Sequence, residues 1–369
     1  MFRLGVRSFS TFFKERFILS EEVKHGLSLN HPVVALESTV ITHGMPFPHN
    51  LELAKSLEEI VRSENCIPAT ICLLDSKICV GLNENQLSLI AHKNSGAVKA
   101  SVRDIPNILA QGKIGGTTVA STMFIAQKAG IKVFATGGIG GVHRYAEESF
   151  DISADLIELS RTNVAVVSAG VKSILDIAKT LEFLVNKFPG FYVPESPYKA
   201  PFAYDSLDKI AEVLDTSDQL GLKNGHLIAC PIPNEFAADG AMIEAAIERA
   251  TLESRNERIQ GKDVTPFLLQ RLNELTQSAS LKTNIELLKN NARIGAKLAK
   301  EYAKRRRNSL QPISSVSYNK SPAHTQSNIS KPTHPTSNKP KILCIGASIV
   351  DYEIVSHQDV KVSFYNTSS

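Results

Sequence analysis

The chain has no tryptophan, and only 4 methionines and 5 cysteines in 369 residues. The cysteines, Cys66, Cys72, Cys79, Cys230 and Cys344, are odd in number and show no C-x-x-C spacing, and no nearby histidine completes a zinc pattern. That argues against a disulfide scaffold or a zinc ribbon and leaves buried free thiols in a reducing compartment. No apolar run is long enough to span a bilayer, so no membrane partner is expected. There is no G-x-G-x-x-G, and no Gly-Lys-Ser/Thr follows a glycine turn, so neither a dinucleotide fingerprint nor a Walker loop is present. The charge excess is small, +4, and local. Part of it sits in Lys304-Arg305-Arg306-Arg307 and part near the N-terminus. Such a patchy excess does not point to nucleic acid, although it suits an anionic small substrate. Internal repeats are lacking too.

What remains is ordinary globular composition, 43% hydrophobic and 21% charged. The length fits two domains, or one large α/β domain with tails. Met1 to Ser20 carries Arg3, Arg7, Lys14 and Arg16 among Phe, Leu, Ser and Thr, with Glu15 its single acid. That is transit-peptide chemistry, so residues 1–17 are expected to direct mitochondrial import. The alternative is a plain disordered start on a cytoplasmic protein.

Short apolar strands alternate with amphipathic helices along the middle of the chain. Val33–Leu36, Ala69–Leu74, Lys77–Gly81, Ala97–Ala100, Lys132–Thr136, Val164–Ser168 and His226–Cys230 read as strands. Helical spacing marks Leu51–Ser63, Glu84–His92, a stretch up to Ala129, Ile152–Leu159, Ile174–Leu184, Gly240–Arg255, Val264–Thr276 and Leu281–Lys304. The pattern predicts an α/β/α sandwich on a mostly parallel sheet. Ligands then bind beyond the carboxyl ends of the strands, and the polar and glycine-rich loops of this chain lie just there.

Those loops hold the candidate chemistry. Glu37 follows a buried strand, in a Glu37–Pro48 loop with Thr39, Thr42 and His43. It is either a general acid or a solvated loop carboxylate. Lys172 also follows a strand, where apolar neighbours can strip a lysine of its proton and make it a nucleophile. Lys99 raises the same question, and either lysine could instead hold a phosphate. The Gly115–Thr118 turn opens a helix, whose free N–H groups and threonine hydroxyls suit a phosphate. The Gly137–Gly141 loop has His143 and Arg144 beside it, which strengthens an anion reading. Asp151 and Asp155 are hard oxygen donors, suited to Mg²⁺ or Mn²⁺, with a helix N-cap the competing role for Asp151.

Taken together, ALESTVITHGMPFPHN, KASVRDI, GGTTVASTMFIAQKAGIKVFATGGIGGVHR, FDISADLIELSRTNVAVVSAGVKSILD, PIPNEFA and GKDVTPFLLQRLNELTQSASLKTNIELLKNNA resemble the pseudouridine-5'-phosphate glycosidase family, also called indigoidine synthase A-like. The resemblance covers residues 18–307. It implies reversible cleavage of pseudouridine 5'-phosphate to uracil and ribose 5-phosphate through a lysine adduct. Glu37 would be the proton donor, Lys172 the nucleophile, and Asn284 would help orient the sugar phosphate. Lys99, Val119 through its backbone, and the Ser153, Ala154, Asp155 segment would contact substrate. Thr118 and His143 would meet the phosphate, and Asp151 would ligate Mn²⁺ or Mg²⁺. Family members form homotrimers. Two other readings are another Schiff-base phosphosugar lyase and an inactive chain that only binds a full-length partner.

Residues 308–340 are rich in Ser, Asn, Pro, Thr and His and read as a disordered linker. Residues 341–369 begin with a strand, a glycine turn and Asp351. They resemble the start of a ribokinase-like pseudouridine kinase, without its nucleotide site or catalytic base, and are too short to bury a core alone. The chain therefore looks truncated or alternatively spliced, with no kinase activity expected. Between Leu184 and Tyr192 it is also shorter than relatives by roughly a strand. That loss is expected to leave neighbouring backbone groups unpaired.

Overall fold

Short aliphatic runs build one mixed sheet in the computed structural model, which describes residues 15–185, 202–236, 240–259, 261–276, 279–309 and 342–346. The strands are β1 (Phe17–Leu19), β2 (Val33–Leu36), β3 (Ile67–Leu74), β4 (Lys77–Val80), β5 (Val98–Ala100), β6 (Gly115–Thr117), β7 (Val133–Ala135), β8 (Ala165–Ser168), β9 (Phe202–Tyr204), β10 (His226–Ala229) and β11 (Ile342–Gly346). They run in the order β1-β4-β3-β2-β7-β8-β10-β11-β9, and β6 joins β5 to β3. From β3 through β2, β7 and β8 to β10 every neighbour is parallel.

The helices are α1 (Glu21–Ser28), α2 (Thr39–His43), α3 (His49–Ser63), α4 (Glu84–Ala91), α5 (Ile105–Gln111), α6 (Val119–Ala129), α7 (Ala146–Ser149), α8 (Ala154–Leu159), α9 (Ile177–Val185), α10 (Leu207–Gln219), α11 (Gly240–Asn256), α12 (Val264–Leu275) and α13 (Ala279–Ser309). Strand side chains alternate between two cores, as a period of two demands. Ala35, Phe134, Val166 and Leu227 meet Ile108 of α5, Met123 of α6 and Leu159 of α8. Val34, Ala135, Val167 and Ile228 meet Leu57 of α3, Leu214 of α10 and Ala296 of α13. Strands buried on both faces read as continuous apolar runs, which is how β2, β7, β8 and β10 appear in the sequence. The α/β/α expectation holds.

Local differences have physical reasons. Gly115–Thr117, expected as a turn, is strand β6, paired with both β5 and β3. A Cβ at Gly116 would lie 2.1 Å from Thr42 Oγ1, so glycine there serves close packing. The loop after Glu37 contains the short helix α2. The helix expected from Ile152 starts at Ala154, where the Ser153 Oγ accepts the Asp155 N–H as its N-cap. Asp151 is therefore not that cap.

The expected loss of pairing is corrected at β10, which pairs β8 on one side and antiparallel β11 on the other. In turn, β9 joins the sheet through β11. The strand expected after Lys341 thus forms, and it adds to the same sheet as the rest of the chain. Residues 1–14, most of the Leu184–Tyr192 stretch, and nearly all of the 308–340 linker and the 347–369 tail lie outside the described residues.

Candidate active site

Five strands end at one cavity of about 310 Å³. Eleven residues singled out from the sequence line it: Glu37, Lys99, Thr118, Val119, His143, Asp151, Ser153, Ala154, Asp155, Lys172 and Asn284. Arg144 does not: it donates to Glu244 at 2.7 Å. Thr42, which donates to Ser38 O, lies outside as well. Glu37 follows β2, Lys99 lies in β5, Thr118 follows β6, the glycine-rich loop follows β7 and Lys172 follows β8. That is where a parallel α/β sheet places ligands.

Glu37 is held from both sides. The neighbouring Ser38, fully buried, donates to the Ile71 carbonyl at 2.6 Å and accepts the Thr117 N–H at 2.9 Å. On the other side, the Thr136 hydroxyl donates to the Glu37 carboxyl. Burial raises the Glu37 pKa, and the Asp155 carboxylate adds to the rise. Lys172, the Thr136 hydroxyl and Lys99 oppose it. The net shift is upward, the direction that suits a proton donor.

The two lysines face the same space. Burial, then the charge of Lys172, holds the Lys99 amine below the ordinary lysine pKa, against the pull of Asp155 and Glu37. Lys172 sits on a segment that runs beside the glycine-rich loop. Ile139 N–H donates to Gly170 O at 2.9 Å, and Lys172 N–H donates to Ile139 O at 3.1 Å. Gly138 lies directly against the lysine stem: a Cβ there would be 3.3 Å from both Lys172 Cγ and Gly170 O.

Asp155 behaves differently from a free ligand-binding carboxylate. It is 7% exposed; Oδ1 accepts the Ala120 N–H at 2.9 Å, and Oδ2 accepts the Gly140 N–H at 2.8 Å. It braces the start of α6 against the glycine-rich loop. Asp151 is freer. Its backbone carbonyl accepts the His143 N–H at 3.0 Å, and its Oδ2 lies 3.8 Å from His143 Nδ1. Burial foremost lowers the His143 pKa; Lys99 and Lys172 add to that and Asp151 opposes it. Among the described residues no group of three His, Cys, Asp or Glu side chains is gathered to cage a metal. One carboxylate completed by waters and substrate oxygens fits a Mg²⁺- or Mn²⁺-type ion, which keeps much of its hydration.

Sequence reasoning passed over residues in and behind the cavity. Thr136, buried behind it, ends the strand in KVFAT, and the strand-end rule that flagged Glu37 and Lys172 applies equally to it. Thr265, Pro266 and Leu269 come from α12, and no local signal announces that this helix returns to the cavity.

The family profile described as Indigoidine synthase A like protein matches residues 22–301. The chain belongs to this family of indigoidine synthase A-like α/β proteins. It is 54% identical over 296 residues to a pseudouridine-5'-phosphate glycosidase of Caldanaerobacter subterraneus subsp. tengcongensis, covering 77% of this chain and 96% of the relative. It is 50% identical to the enzyme of the same name from Brachyspira hyodysenteriae, with 78% and 97% covered. Among solved structures it resembles the prealnumycin C-glycosynthase AlnA in complex with ribulose 5-phosphate, with 34% identity and a TM-score of 0.71 over 80% of this chain and 99% of that one. An indigoidine synthase A-like protein from Thermotoga maritima gives 32% identity and a TM-score of 0.68, with 78% and 97% covered.

Proposed function

We propose that this chain is a pseudouridine-5'-phosphate glycosidase, splitting its substrate reversibly into uracil and ribose 5-phosphate. The observation that carries the reading is Glu37, its pKa raised by burial, and two lysines around one cavity, in a chain half identical to enzymes of that name. The bond to be broken joins ribose C1' to uracil C5, so no leaving oxygen or nitrogen is available for the usual two-carboxylate chemistry.

The nitrogen lone pair of Lys172 attacks C1' while Glu37 protonates the ring oxygen O4', and the C1'–O4' bond breaks. The alkylated nitrogen sheds a proton, which restores Glu37. Uracil C5 takes up a proton, and the C1'–C5 electron pair returns to the uracil ring as the nitrogen lone pair forms the C1'=N imine. Water then releases ribose 5-phosphate and frees the amine. A covalent adduct divides one hard step into easier ones. Lys99, Thr118 at the α6 N-terminus and His143 bind the phosphate. Asn284 reaches over from α13 to orient the sugar. Asp151 would hold Mn²⁺ or Mg²⁺, which supplies positive charge against substrate oxygens.

Uracil release from pseudouridine 5'-phosphate, with and without Mn²⁺, tests the reading beside Lys172→Ala. The parent should release uracil and trap ribose phosphate on borohydride reduction, and the variant should do neither. Equal release from both proteins removes the assignment, and trapping with other phosphosugars alone favours a Schiff-base lyase. The proposal extends to a homotrimer, as the resemblance implies, and to mitochondrial import through residues 1–17. Light scattering and cell fractionation check these.

A further inference from the structure

Along one face of α13, Asn284, Leu288, Asn291 and Gly295 follow each other at helical spacing. That face lies on β7 and the loop after it. A Cβ at Gly295 would be 3.0 Å from Ala135 Cβ, and one at Gly137 would be 3.2 Å from Leu288 Cδ2 and 3.5 Å from Asn284 Oδ1. In the middle of this contact Asn291, 1% exposed, spans the gap with its amide. Nδ2 donates to Thr136 O at 2.8 Å and to Gly137 O at 3.1 Å. Its Oδ1 finds no donor among the described residues. A half-satisfied amide inside a core is less favourable than an apolar side chain of similar size, and the two bonds to the end of β7 are what offset it.

Those two carbonyls mark the point where β7 turns into the glycine-rich loop. Thr136 N–H still pairs with Val167 O at 2.9 Å, and Gly137 O also accepts the Ala169 N–H at 2.8 Å. Thr136 is the residue whose hydroxyl donates to Glu37. We infer that Asn291 is a positioning residue: it fixes where α13 sits along β7, and so sets both the Thr136 hydroxyl on Glu37 and the approach of Asn284 to the cavity. It touches no reacting atom. The inference rests on the glycosidase reading above.

The test compares Asn291→Ala, Asn291→Ser and Thr136→Val with the parent, measuring kcat, KM, the pH profile of kcat and thermal stability. The groups that face Glu37 are Thr136 beyond β7, Lys172 beyond β8, Lys99 on β5 and Asp155 on α8. Only the first is disturbed directly. The Thr136 bond favours the ionised carboxylate, so weakening it keeps Glu37 protonated to higher pH. Asn291→Ala should lower kcat about tenfold with little change in KM. The alkaline limb should move up by about half a pH unit, as in Thr136→Val. The double variant should move it no further than either alone. Asn291→Ser keeps a shorter donor and should show a smaller effect in the same direction, so misfolding of the alanine variant does not remove the test. A purely structural Asn291 would cost thermal stability and leave kcat and the pH limb in place, and that result overturns the inference. Should Lys172→Ala be inactive while the Asn291 variants keep the parent profile, only this inference fails. Should Lys172→Ala stay active, the glycosidase reading fails first.

Discussion

The Asp155 carboxylate joins two backbone amides that the chain order keeps apart, taking the Ala120 N–H at 2.9 Å on one oxygen and the Gly140 N–H at 2.8 Å on the other. Helix α6 and the loop that runs beside Lys172 are thereby locked to one side chain. Asp155→Asn keeps the shape and turns one acceptor into a donor aimed at an N–H. Buried charge-assisted bonds of this kind are worth about 1.5–3 kcal/mol each. Chemical denaturation should show a loss of about that size, with uracil release reduced at saturating substrate. A variant as stable and active as the parent would assign Asp155 no bracing role.

Glu37→Gln separates stability from chemistry. Burial raises the Glu37 pKa above its usual 4.5, so the folded state prefers the proton. That preference contributes fully below the unfolded-state pKa and is lost as pH rises through the higher folded-state value. The neutral amide escapes the loss. Its melting temperature should exceed that of the parent at pH 8 and match it near pH 4, while kcat falls by about 10²–10⁴-fold. Melting curves at the two pH values check the first half and turnover the second.

His226 predicts the opposite slope far from the cavity. It is 6% exposed, with Nε2 3.1 Å from Ser217 Oγ. Burial, then the Lys132 charge, pushes its pKa down from 6.5 to about 4, with Asp218 opposing. A lowered histidine pKa means that the unfolded chain binds the proton first. Stability is therefore intact above pH 6.5 and falls as pH drops towards 4, by about 3 kcal/mol in all. In His226→Gln that part of the acid slope should vanish, as urea titrations at pH 7 and pH 4.5 would reveal.

Deleting residues 341–369 should weaken the whole fold. β11 pairs with both β10 and β9, so its removal opens the edge of β10 and takes away the ladder through which β9 joins the sheet. An opened edge also invites pairing with other chains. Lower melting temperature and concentration-dependent aggregation are expected. An unchanged melting curve in the shortened chain would show that β11 contributes nothing to stability.

Much of this was legible from the residues. Apolar runs such as VVAL, KVFA and AVVS specify buried strands because both faces of a parallel sheet are covered, and the helices between them carry a clear apolar stripe. Placing Glu37 and Lys172 just beyond strand ends already put them on one edge of the sheet. Less legible were the close approaches. Gly116 reads as turn chemistry until Thr42 is seen to fill the space of its missing side chain. Nor does local spacing show that Asp155, which lines the cavity, also accepts two amide N–H groups distant in sequence.

By itself the sequence determined the period of each element and the loops in which reactive side chains could gather, because those depend on neighbours a few residues apart. Which of those side chains share one cavity, and which hold distant backbone amides, was decided only by the tertiary structure. Asn284 shares the cavity with Glu37, and Asn291 donates to Thr136 O, each from more than a hundred residues along the chain, and Ile342–Gly346 reaches β10 across the whole 308–340 segment. Such pairings depend on how helices and strands pack in three dimensions, and no local spacing along the chain encodes them.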